Sequence, residues 1–195
     1  MALAPPSKDF AAHQLEYVLI EPLQLVRITR FPDTEPYFGK SKTHRFDDPL
    51  QGYGVSYAGD DFLVAFAETI LHDIQPIRGR YRVDEEALRI RYAATFRGSK
   101  ITLANLTGTA LKRLGGNNDI SSEIPYDTTQ LWSRAVYMHP QGVEGIQYIS
   151  RHVNTQMAFA LFDRCQGKFL VHTKTPLLEH PNFSEAIEKF GVDVF

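Results

Sequence analysis

The chain has 195 residues, 43% of them hydrophobic, which suffices for one compact domain with a sizeable core. Its net charge of −2 argues against a nucleic-acid backbone as the primary ligand, and no run approaches the roughly eighteen uncharged apolar residues of a membrane span. One cysteine, Cys165, excludes an intrachain disulfide and a four-cysteine zinc site and suits a reducing compartment; with no secretory signal visible, the expected location is the cytoplasm.

Residues 1–13, with Pro5 and Pro6, read as an irregular arm, and residues 14–195 as a single domain. A strand is expected after Pro22, where Leu23, Leu25 and Arg27 alternate with Val26 and Ile28. Residues 31–52 are polar and rich in Pro and Gly, and a connection of that length inside a compact domain is usually functional or disordered. Gly54-Val-Ser-Tyr-Ala is a short strand, after which Asp60 or Asp61 caps a helix running to about His72. On that helix Phe62, Leu63, Phe66 and Ile70 share one face, and Glu68 falls near the opposite side.

Strand-like stretches follow at 79–84 and within 89–105. Thr107–Leu114 reads as a short helix stopped by Gly115-Gly116, and Thr128–Met138 as a second, carrying Trp132. Gly145–Ser150 and Met157–Phe162 are strands, and a tail helix at Ser184–Phe190 is closed by Gly191. Short strands and helices without regular βα alternation give the class α+β.

There is no Walker A sequence, no GxGxxG after a strand, no GxSxG elbow and no HExxH pair. No two of the seven histidines stand at i, i+4, so no metal is expected. What remains is a set of polar residues inside apolar segments: Arg27 in LVRIT, Arg45 in HRFDDP, Tyr57 in VSYAG, Glu68 in AFAETI, and Ser150 in GIQYIS, followed by Arg151. Singly these are uninformative, because an arginine at a strand end is usually paired and a helix glutamate usually solvated.

Together they resemble a family. THRFDDP and, three residues on, YGVSYAGDDFLVAFAET resemble the first signature of RES-domain proteins, named for an arginine, a glutamate and a serine. GIQYISRHVNTQMAFALF is similar to the second signature, with ITLANLTGTALKRLG and YDTTQLWSRAV between them, so the likeness spans roughly 22–165. The resemblance assigns Arg45, Glu68 and Ser150 to the name-giving positions and Arg27 and Tyr57 to two further pocket positions. It implies a fold similar to ADP-ribosyltransferase toxins, a small split β-structure with flanking helices, and makes 14–195 a RES-like catalytic domain. It further implies cleavage of NAD at the nicotinamide–ribose bond by phosphorolysis or hydrolysis, with NAD as substrate, inorganic phosphate as an optional co-substrate and no required cofactor. The implied partner is an antitoxin with a helix-turn-helix domain. Direct nucleic-acid and membrane partners are not expected, and a monomer and a homodimer both stay open. A protein ADP-ribosyltransferase using the same pocket, and an inactive interaction module, are the alternatives.

The residue types suit that chemistry. Loss of nicotinamide builds positive charge on the ribose, which a carboxylate, here Glu68, stabilises chiefly in the transition state. Arg27 and Arg45 suit a pyrophosphate or an attacking phosphate through paired hydrogen bonds. Tyr57 offers a ring and a hydroxyl, and Ser150 can orient a ribose hydroxyl or the carboxamide. Ser150 as a nucleophile, with His152 and Asp163 near in sequence, ranks below that binding role.

Overall fold

The computed structural model describes residues 2–195 and has ten strands among them; Met1, the first residue of the expected arm, lies outside the described residues. In chain order come β1 (Tyr17–Ile20), β2 (Val26–Thr29), β3 (Val55–Gly59), α1 (Phe62–Thr69), β4 (Tyr81–Val83) and α2 (Glu85–Arg89). Then follow β5 (Tyr92–Gly98), β6 (Ile101–Asn105), α3 (Gly108–Arg113), α4 (Asp119–Ser122) and α5 (Asp127–Tyr137). The chain ends with β7 (Gly145–Ile149), β8 (Met157–Phe162), β9 (Phe169–Pro176), α6 (Phe183–Phe190) and β10 (Val192–Val194). The class is α+β.

Eight strands form one large curled sheet in the order β1-β6-β7-β8-β3-β2-β5-β9, while β10 and β4 pair separately. Every pairing in the large sheet is antiparallel except β6 with β7. Gly145 opens β7 where a Cβ would stand 2.5 Å from the Ala160 carbonyl oxygen, so only glycine lets β7 and β8 close there.

The core has layers on both sides of α1. Val64 packs with Phe46, Trp132, Tyr148 and Phe162, whereas Phe62, Ala65 and Phe66 pack with Leu88, Leu177 and Ala186. Asp61 starts the helix by accepting the Val64 N–H on Oδ1 at 2.8 Å. The helix ends at Thr69, short of the expected His72. Gly191 closes α6 at φ +64°, as its position in the sequence predicts. Within the N-terminal segment, Leu3 and Phe10 are buried in the α5 side of the core, and Trp132 Nε1 donates to the Ala4 carbonyl at 2.8 Å.

Candidate active site

β7 and β3 flank β8, and α1 follows β3 directly and packs on β8. This path brings Glu68, in the last turn of α1, to Ser150, the residue after β7. Ser150 Oγ donates to Glu68 Oε1 at 2.6 Å and accepts the N–H groups of His152 and Val153 at 3.3 and 3.1 Å. Ser150 is fully buried, whereas the Glu68 side chain is 21% exposed. The serine therefore holds the carboxylate and has no open face for attack on a substrate. Asp163 is engaged elsewhere, accepting from Gly54 N, so no Ser-His-Asp relay exists.

Arg45 reaches the same place from the long 31–52 connection. That connection is built, not loose: a buried polar stripe of α5 satisfies its carbonyls. Thr129 Oγ1 donates to Arg45 O at 2.8 Å, Gln130 Nε2 to Lys42 O and His44 O, and Ser133 Oγ to Phe46 O at 2.6 Å. The Arg45 guanidinium donates from Nη1 to Glu123 O at 2.9 Å and lies 4.7 Å over the Tyr126 ring. Burial lowers its pKa, offset in part by the Tyr126 and Tyr148 hydroxyls and by Glu68, while Arg151 adds like charge.

Tyr57 works beneath this group. Its hydroxyl donates to Asp47 Oδ1 at 3.0 Å and accepts the Phe46 N–H at 2.9 Å, so it anchors the backbone next to Arg45. Burial, and then the Asp47 charge, push the phenol well above its ordinary pKa, so it stays protonated. Arg27 is tied in through Tyr57 from the other end, donating from Nη1 to Tyr57 O at 2.7 Å and from Nε to Glu35 Oε1 at 2.8 Å. Its charge is thus already paired with a carboxylate that is 1% exposed. Glu68 and Ser150 meet directly and Arg45 lies within range of the Glu68 charge. Tyr57 joins through the backbone beside Arg45, and Arg27 through the Tyr57 carbonyl.

Three further side chains complete the cluster. His152 Nε2 stands 4.0 Å from Glu68 Oε2, and the His72 and His152 rings lie 5.4 Å apart. Burial lowers the His152 pKa, against the opposing pull of Glu68. Among the described residues, five buried side-chain nitrogen or oxygen atoms lack a hydrogen-bond partner, and three are Arg45 Nη2, Arg151 Nη1 and His152 Nε2. Such atoms are rare in folded proteins and concentrate here around one carboxylate. Two other surface depressions, near Gly108 and Asp119 and near Arg80 and Phe183, hold none of these residues.

Sequence reasoning missed His72, Tyr126 and Tyr148 and weighed His152 only as a relay partner. One signal was present, since Glu68 and His72 stand at i, i+4.

Residues 24–182 match the family model described as the RES domain. A probable toxin, y4kH, from Sinorhizobium fredii is 28% identical over 95 residues, covering 48% of this chain and 74% of that protein. A chain from the crystal structure of the M. tuberculosis MbcT–MbcA toxin–antitoxin complex superposes with a TM-score of 0.64 at 13% identity, covering 88% of this chain and 93% of that one. At that identity the likeness is one of fold.

Proposed function

The chain belongs to the RES domain family, and on that footing we propose that it is the toxin of a toxin–antitoxin pair and acts by cleaving the nicotinamide–ribose bond of NAD. The observation that carries the reading is the Glu68 carboxylate, locked by Ser150 in a cluster whose charges act on one another and which includes Arg45 and Arg151, with Arg45 Nη2 and Arg151 Nη1 unpartnered. Buried cationic donors lacking an acceptor fit a polyanionic ligand, and a carboxylate among them fits a ligand that turns cationic at one atom. NAD has both features: a pyrophosphate, and a ribose carbon that becomes oxocarbenium-like as nicotinamide leaves.

In this reading the C1″–N bond breaks and its electron pair stays on nicotinamide. The oxygen of water or inorganic phosphate then bonds to C1″, giving ADP-ribose or its 1″-phosphate and, from water, one proton. Glu68 faces the developing positive charge and holds a ribose hydroxyl. Arg45 and Arg151 take the pyrophosphate or the attacking phosphate, with Arg27 supplying its remaining guanidinium edge. Tyr57 offers its ring edge, its hydroxyl being spent on the Arg45 loop. Ser150 is a positioning residue that acts through Glu68. No step calls for a cofactor. An antitoxin with a helix-turn-helix domain silences the enzyme by covering the cationic cleft with an acidic group.

Purified protein incubated with NAD, with and without phosphate, tests the reading. Free nicotinamide with ADP-ribose or its 1″-phosphate is expected without any target protein. ADP-ribose found only on protein would move the assignment to a protein ADP-ribosyltransferase, and intact NAD would leave an interaction module.

A further inference from the structure

We propose that Glu68, His72 and His152 form a binding site for one divalent transition-metal ion, with zinc the best fit to its donors. One ligand atom from each residue lies within 4.8 Å of the others. Zinc–ligand distances of about 2.0–2.2 Å place tetrahedral ligands roughly 3.3–3.5 Å apart, so closing the set needs movement on the order of 1 Å. The side chains have that freedom: His72 is 31% exposed, His152 19% and Glu68 21%.

The surrounding contacts orient each donor for the task. His72 Nδ1 hydrogen-bonds Asp73 Oδ1 at 2.8 Å, which fixes the proton there and presents Nε2 as the lone-pair atom. Glu68 Oε1 is held by Ser150, so Oε2 turns to His152. His152 Nε2 is buried with no hydrogen-bond partner, although a ring nitrogen in that position ordinarily has one. Two imidazoles and one carboxylate are a borderline donor set that suits zinc and its first-row neighbours over magnesium or calcium. Three protein donors leave a fourth tetrahedral position for a water to fill, as in zinc sites with three protein ligands. Arg45 and Arg151 act electrostatically on His152 from nearby and lower the affinity without forbidding the ion. The sequence expectation of no metal rested on the absence of paired histidines, whereas here Glu68, in the last turn of α1, is joined by His72 from the turn that follows the helix.

A consequence rests on the reading under Proposed function. An ion on Glu68 Oε2 takes the carboxylate away from the ribose and sets a positive charge where positive charge must develop, so zinc slows NAD cleavage. The test uses the full chain after chelator treatment, titrated with Zn²⁺ by calorimetry and with Co²⁺ by visible absorption, alongside His72→Gln, His152→Gln and His172→Gln. One ion per chain is expected, weakened about tenfold or more by the first two substitutions. The exposed His172 substitution leaves it unchanged. Cobalt bands of a low-symmetry nitrogen–oxygen site are expected in wild type and lost in His72→Gln. Binding that ignores both His72 and His152 overturns the site. In the activity arm, Zn²⁺ lowers NAD consumption by wild type and needs a concentration about tenfold higher in His72→Gln. Histidine-dependent binding by a metal-free protein that leaves NAD intact supports the site and overturns the NAD reading alone. NAD cleavage with no histidine-dependent binding does the reverse.

Discussion

Ser150 Oγ and Glu68 Oε1, 82 positions apart in sequence, share a 2.6 Å hydrogen bond, and the same hydroxyl accepts two backbone N–H groups. The serine therefore couples the turn after β7 to the end of α1. A short bond donated to an ionised oxygen is stronger than one between neutral groups, and it sets the carboxylate's angle without contacting the ligand. The effects of altering the two residues should differ accordingly.

Removing the hydroxyl in Ser150→Ala leaves Glu68 charged but unheld, and leaves the His152 and Val153 N–H groups without their acceptor. We expect a fall in kcat of about tenfold or more with KM changed little, as for loss of orientation and not of binding. Stability should drop by about 1–3 kcal/mol. Steady-state NAD cleavage and urea denaturation measure both; a large rise in KM at constant kcat would show that Ser150 touches substrate.

Glu68→Gln keeps the size and still accepts the Ser150 bond but loses the charge. Turnover should fall by about 10²-fold or more with little change in folding. The same variant, expressed in a bacterial host, should neither halt growth nor lower cellular NAD, whereas wild type should do both. NAD consumption within about threefold of wild type would make Glu68 a structural residue.

The class and several elements were legible because their periodicity is local. α1, α5, α6, β7 and β8 lie close to where the apolar pattern places them. β9 was not legible, since as an edge strand it carries exposed Leu170, His172, Thr173 and Lys174 and so lacks clean alternation. For Glu68, the helical wheel correctly set it off the Phe62–Phe66 face, but a wheel cannot tell solvent from a second packed layer. Val64 packs into that layer with Tyr148, and Ser150 lies just beyond. Arg45's support was out of reach for another reason. Thr129, Gln130 and Ser133 look like ordinary polar helix residues until the connection 84–88 positions away is laid on them.

The N-terminal segment gives a prediction independent of the site. Phe10 is 4% exposed and meets the Trp132 ring edge-on at 5.5 Å. Phe10→Ala should lower unfolding stability by about 3–5 kcal/mol through lost transfer energy and the residual cavity. Trp132, the chain's one tryptophan, reports the change directly: its emission should shift to the red in the folded variant. A loss below about 1 kcal/mol would mean that the segment is dispensable for the core.

His180 supplies a pH dependence whose sign can be worked out. Its ring stacks on Phe62 at 4.0 Å, its Nδ1 accepts the Asn182 N–H at 3.2 Å, and burial lowers its pKa. Nδ1 can accept only while unprotonated, so stacking and hydrogen bond both belong to the neutral ring. The unfolded chain, with a histidine near its ordinary value of about 6.5, binds the proton more readily than the folded one. Its contribution is therefore fully present above that pH and declines as pH falls through and below it. Urea midpoints should drop between pH 7.5 and pH 5.5, and the drop should be shallower in His180→Phe, which keeps the stack without the titrating nitrogen. His152, lowered for the same reason of burial, accounts for part of the remaining slope. An unchanged slope in His180→Phe would show that the folded and unfolded chains bind the proton at His180 equally well.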